Sequence, residues 1–188
     1  TRSVSAFLLN RSSDLVYRNN HMYSLLIIIF TVFFSAQSYV FAQGSSDLGT
    51  YGDWQATYWN NDAGICTMMT LPKKEEGKYS RRGEVYAQVV KNTGANNTGV
   101  VNFVAGYTFK ENSEVSIKID NKHSFTLFTN QSTAWAQSEI DDASLIKFMK
   151  LGNTMVVRGI SSRGTKTKDT YSLKGFVAAY KAMNKKCK

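Results

Sequence analysis

Apolar and polar residues alternate along much of the chain after residue 53. The strictest case is 114–120, where Val115, Ile117 and Ile119 interleave with Ser116, Lys118 and Asp120. A period of two puts the first set on one face of a strand and the second on the other. Asp120, Asn121 and Lys122 then form a turn into Phe125 and Leu127, which alternate with Thr126 and Phe128, so 114–128 reads as a hairpin. Short segments of the same kind, rich in aromatic and β-branched residues, fall at 53–59, 64–70, 83–91, 99–104, 133–138, 154–160 and 166–173. Nine short strands suit a sandwich or a barrel.

Helical spacing occurs twice. Over 141–151, Leu145, Ile146, Phe148 and Met149 follow the paired acids Asp141 and Asp142, which suit a helix N-terminus, and Gly152 ends the run. Over 175–184, Phe176, Ala179, Tyr180 and Met183 recur at helical intervals before a basic end from Lys185. The expectation is a mainly β domain over 53–188 with one internal and one C-terminal helix. Residues 43–52 are small and polar and read as a flexible linker.

The N-terminal part has a different character. Leu25 to Phe34 read LLIIIFTVFF, the length of a signal-peptide core and too short for a comfortable membrane span. Ser35, Gln37 and Ser38 interrupt the run, which argues against an uncleaved anchor, and Val40-Phe41-Ala42 presents small or aliphatic residues for cleavage after Ala42. Residues 22–42 are thus expected to be a cleaved signal peptide. Residues 1–21 are either its basic n-region, with Arg11 and Arg18, or sequence upstream of a start at Met22; the second is favoured because Met22 directly precedes the apolar core. The implied location is the periplasm or outer membrane.

The formal charge of the chain is +9; three arginines and one aspartate of the leader account for +2 of it, leaving +7 from Gln43 onward. The basic residues are scattered, an arrangement that suits solubility and attraction to an anionic membrane surface. Tyr79, Arg81, Arg82 and Tyr86 interleave aromatic and basic groups as single-strand binders do, but an export leader removes nucleic acid as a partner.

Two cysteines, Cys66 and Cys187, exclude a disulfide-dense scaffold and a multi-cysteine zinc cluster. In an oxidising compartment they would close a loop of roughly 120 residues, contributing about 3 to 5 kcal/mol in the chain-entropy model. Two unpaired thiols are the alternative. No phosphate loop, paired-histidine zinc motif or serine elbow is present, and His123 is the only histidine after the leader. No catalytic residue, metal or cofactor is expected. The enzymatic alternative is an envelope-modifying hydrolase whose carboxylates, such as Glu84, Asp120 and Asp169, are brought together by the fold.

From Trp54 to Lys186 the order of features resembles the invasion-associated locus B family of alphaproteobacterial envelope proteins. The resemblance is carried by Gly164, Asp169, Ser172, Leu173, Gly175 and Phe176, which match the family's Gly-x-x-x-x-Asp-x-x-Ser-Leu-x-Gly-Phe run. Trp135 before the internal helix also fits, as do the early Gly52-Asp53-Trp54 and Cys66. Ala134 and Ala136 stand where other members often carry cysteines, so a second disulfide is missing. The resemblance implies an immunoglobulin-like β-sandwich, export, and a non-enzymatic binding or structural role linked by name to host-cell entry; the partner is an unidentified envelope or host protein. Physically, Gly164 suits a hairpin tip, Asp169 and Thr170 can satisfy backbone donors, and Gly175 lets the chain turn so that Phe176 packs beneath it. The basic hairpin carrying Arg163, Lys166 and Lys168 is the candidate partner contact.

Overall fold

The computed structural model describes residues 44–60 and 63–188. The leader expected over 22–42 and the stretch before it lie outside the described residues.

The alternating segments form antiparallel strands with the expected faces. These are β1 (Ser45–Tyr51), β2 (Trp54–Trp59), β3 (Ile65–Thr70), β4 (Lys74–Gly77), β5 (Tyr86–Asn92), β6 (Val100–Val104), β7 (Glu114–Ile119), β8 (His123–Asn130), β9 (Thr133–Trp135), β10 (Thr154–Ile160) and β11 (Lys166–Ser172). Helix α1 (Glu139–Leu151) lies between β9 and β10, and α2 (Phe176–Lys186) closes the domain. Hydrogen bonding runs through the order β1-β2-β3-β5-β6-β9-β8-β7-β10-β11-β4. β2 and β11 stand far apart in that order, yet the Trp54 indole Nε1 donates to the Ser172 carbonyl at 3.1 Å. Phe103 of β6 likewise meets Tyr171 of β11 with ring centroids 6.3 Å apart. The sheet therefore folds over on itself, and its two halves are the layers of a mainly β sandwich with one internal and one C-terminal helix.

Between the layers lies a continuous apolar core. Val115, Ile117 and Ile119 are buried in it, as alternation requires, together with Met68, Val89, Val101 and Phe103 from the facing half. The β7–β8 turn has Asp120 and Asn121 at φ 48° and 57°, with Lys122 N–H on the Ile119 carbonyl at 2.9 Å. Aspartate and asparagine tolerate that left-handed backbone better than other side-chain-bearing residues.

Residues 45–51 are not a flexible linker. They pair along β2 with a bulge between Asp47 and Gly49, and Leu48 and Tyr51 pack against the core. Small polar composition hides an edge strand whose attachment is mostly backbone hydrogen bonding. The charged stretch at β4 pairs along β11 in the same way. Two elements also shift their starts. Ser138, assigned above to a strand, caps α1 by accepting the Asp141 N–H, so β9 stops at Trp135. β5 begins only at Tyr86 because Gly83 N–H is engaged by the Gly106 carbonyl at 2.8 Å.

Candidate functional site

Residues of the closing run meet the early Gly-Asp-Trp segment. The Asp53 N–H donates to the Lys174 carbonyl at 3.0 Å, and Lys73 together with the Ser172 hydroxyl holds the Asp53 carboxylate below its usual range. Trp54 and Phe176, both fully buried, stack edge-on with centroids 4.8 Å apart. Gly175 adopts φ 93°, and a Cβ there would lie 1.8 Å from the Tyr51 carbonyl oxygen. Only glycine combines that backbone with that approach. Trp54, Ser172, Gly175 and Phe176 thus form one latch between the first strands and the last helix, while Leu173 is buried with its N–H on the Asn153 carbonyl.

The Cys66 and Cys187 sulfurs are bonded, joining β3 to the end of α2 across a sequence separation of 121. Both residues are fully buried.

Asp169 has a role the sequence did not disclose. Its side chain does not serve backbone donors, as anticipated; its two oxygens receive Arg82 Nη1 and Nη2, each at 2.6 Å. Both side chains are nearly sealed, 4% exposed for Arg82 and 6% for Asp169. Arg82 Nε donates to the Ala105 carbonyl at 2.7 Å, and the guanidinium lies over the rings of Tyr79 and Tyr107. Burial opposes its charge, but the Asp169 bonds outweigh this and raise the Arg82 pKa above its ordinary value. Glu75 of β4 reaches the same guanidinium at 3.3 Å, and Tyr107 shares a 2.6 Å hydrogen bond with Thr167. Arg82 thereby ties the 78–85 loop to β11. Eighty-seven residues separate Arg82 from Asp169, and no local pattern announces the pair. Arg82 is consumed here and is not part of an exposed aromatic–basic stripe at 79–86.

On the outer side of this lock lies the basic hairpin. Gly164, at φ 83°, forms its tip, and Arg163 and Lys166 border a shallow groove with Gly77 and Lys78. Lys168 is partly neutralised, since its ammonium binds Glu76 of β4 at 2.8 Å. Hydrogen bonds from Lys168, and from Lys74 after it, pull the Glu76 pKa down to about 2. Arg163 and Lys166 form no ion pair among the described residues. Trp135 is half-buried on the opposite half of the sheet, next to Asn102 and Phe128, so the hairpin and Trp135 do not share a site.

Nor do the three carboxylates of the enzymatic alternative meet. Asp120 receives the N–H groups of Asn153 and Thr154 at the start of β10, Asp169 faces Arg82, and Glu84 is exposed ahead of β5. The backbone bonds, the one from Thr154 first, lower the Asp120 pKa, the reverse of what a general acid needs. Among the described residues no group of three or more His, Cys, Asp or Glu side chains is placed to hold a metal ion. Asp142 does not cap the helix, a role that falls to Ser138; it is buried, and its Oδ1 accepts the N–H of Val101 in β6 at 2.8 Å, while desolvation raises its pKa.

The fold and its motifs define a disulfide-braced β-sandwich in which the recurrent residues serve packing and the exposed surface is basic. The chain belongs to the invasion associated locus B (IalB) family, whose model matches residues 55–184. The solved structure of invasion associated protein b from Bartonella henselae is similar, with a TM-score of 0.53 and 16% identity over 73% of this chain and 95% of that one, a likeness of fold. A comparison with curated proteins gives no match.

Proposed function

We propose that this is an exported, non-enzymatic protein of the bacterial envelope that binds a partner or stabilises a surface assembly. The observation that carries this reading is the buried Cys66–Cys187 bridge, which pins the C-terminal end to the core and is maintained in an oxidising compartment. The signal-peptide pattern before Gln43 and the family membership support the same location. The motif residues are spent on the latch and the lock, so binding falls to exposed surface, including the Arg163 and Lys166 hairpin. Contact with a host cell follows only for a protein displayed on the outer membrane.

Fractionation of cells expressing the full chain tests the reading. Recovery from the periplasm or outer membrane is expected, and resistance to protease in intact cells would restrict the partner to the envelope interior. A product confined to the cytosol would overturn it.

A further inference from the structure

Helix α2 turns a lysine row to solvent. Val177, Lys181 and Lys185 follow one another at four-residue steps down its exposed side, Lys188 lies just past its end, and Lys150 from the end of α1 joins them across a shallow groove. The Lys150 ammonium sits over the Tyr180 ring at 3.8 Å, and Tyr180 is itself fixed by its hydroxyl bond to the Thr98 carbonyl. A second groove on the other side of Lys181 and Lys185 is lined by Leu48, Tyr51, Ala178 and Ala182. No aspartate or glutamate lines either groove, and among the described residues none of Lys150, Lys181, Lys185 or Lys188 forms an ion pair. The acids of α1 stand at its other end, in the first turn. Apolar residues accompany the charge: Val177, on the wall of the first groove, is 41% exposed, and Leu48 and Ala178 line the second.

Lysines without counter-ions, ranged beside exposed aliphatic groups, match a surface that offers phosphates above hydrocarbon. We infer that the α2 face, with Lys150, Lys181, Lys185 and Lys188, docks the domain on an anionic phospholipid bilayer. A partner that recognised charge alone would leave the exposed Val177 unused. The inference rests on the envelope reading for where such a bilayer is met, and it is tested with purified protein, so either can fail without the other.

The test is co-sedimentation of the full chain with vesicles of phosphatidylglycerol and phosphatidylcholine, with pure phosphatidylcholine vesicles as the baseline that removes any contribution of the apolar stretch 25–34. A lysine at an anionic surface is worth about a five-fold gain in binding, so Lys181→Gln with Lys185→Gln should weaken phosphatidylglycerol-dependent binding about thirty-fold. Arg163→Gln with Lys166→Gln removes the same charge from the hairpin and should change binding by less than about two-fold if the α2 face is the site. Equal losses in both variants would show a diffuse charge effect and overturn the assignment. Absence of a preference for phosphatidylglycerol in the unaltered protein would overturn it too. Displacement by inorganic phosphate, but not by chloride at the same ionic strength, would make free phosphate the ligand and reject the bilayer. The substituted side chains are exposed, so unchanged melting curves are expected in both variants.

Discussion

Replacing Arg82 by Met removes both guanidinium bonds from Asp169 and leaves that carboxylate buried without a cation. Stranding one member of a buried ion pair costs about 3 to 5 kcal/mol, because the remaining charge is desolvated with no partner. For about 145 folded residues the unfolding entropy is on the order of 0.3 kcal/mol per degree, so the melting midpoint should fall by about 10 to 16 °C. Asp169→Leu should cost less, because Arg82 keeps Glu75 at 3.3 Å and the Ala105 carbonyl. The double variant, Arg82→Met with Asp169→Leu, buries no unpaired charge and should lie within about 2 kcal/mol of the original, the residue of loss coming mainly from the Ala105 carbonyl deprived of its donor. Arg82→Lys should fall between, since an ammonium cannot reproduce two parallel bonds. Denaturant titrations of the four proteins form a double-mutant cycle. Single losses below about 1 kcal/mol that simply add in the double variant would refute the lock, since buried, coupled charges cannot behave so.

Gly175→Ala would force a Cβ onto the Tyr51 carbonyl at a positive φ; a loss of at least about 2 kcal/mol is expected in urea titration, with circular dichroism of the native state retained. Cys187→Ser opens a loop of 121 residues and should cost about 2 to 5 kcal/mol, a loss that a reducing agent should reproduce in the original protein. Asp142 has its pKa raised by burial, so the native state holds that proton more tightly than the unfolded chain, and ionisation as pH rises from the ordinary 3.8 through the native value works against the fold. Asp142→Asn keeps an acceptor for Val101 and should be at least as stable as the original at pH 7, with the advantage fading below pH 4, whereas Asp142→Ala should lose about 1 to 3 kcal/mol; thermal melts across that range decide it. Glu76 is depressed to about 2, so its pairing with Lys168 and Lys74 persists above the ordinary carboxylate range and fades as pH falls from there through 2, which side-chain NMR titration reads directly.

Where alternation was strict, as at Val115, Ile117 and Ile119, the sequence alone disclosed both strand and face, because a one-residue slip would expose the whole apolar set. β1 and β4 were not legible for the opposite reason. They are the sheet's two edges, held mainly by backbone bonds that any composition can make, and the Lys-Glu-Glu-Gly of β4 is edge-strand chemistry that reads as a loop. Ser138 illustrates a local competition: the residue extends an apparent strand pattern, but its hydroxyl is worth more as a helix cap. The candidate site divided along similar lines. Gly164 and Gly175 announced their conformations, since backbone demands are local. The partner of Asp169 was invisible because a contact between residues 82 and 169 exists only once the sheet has folded over.

An intact mass of the protein recovered from the cell envelope, taken before and after thiol alkylation, tests the exported, bridged domain most directly. A chain beginning at Gln43, lighter by two hydrogens than its reduced form and unmodified by the alkylating agent until reductant is added, is the expected result. A product that retains the apolar run 25–34 and takes up label at Cys66 and Cys187 without reduction would contradict both the export and the brace.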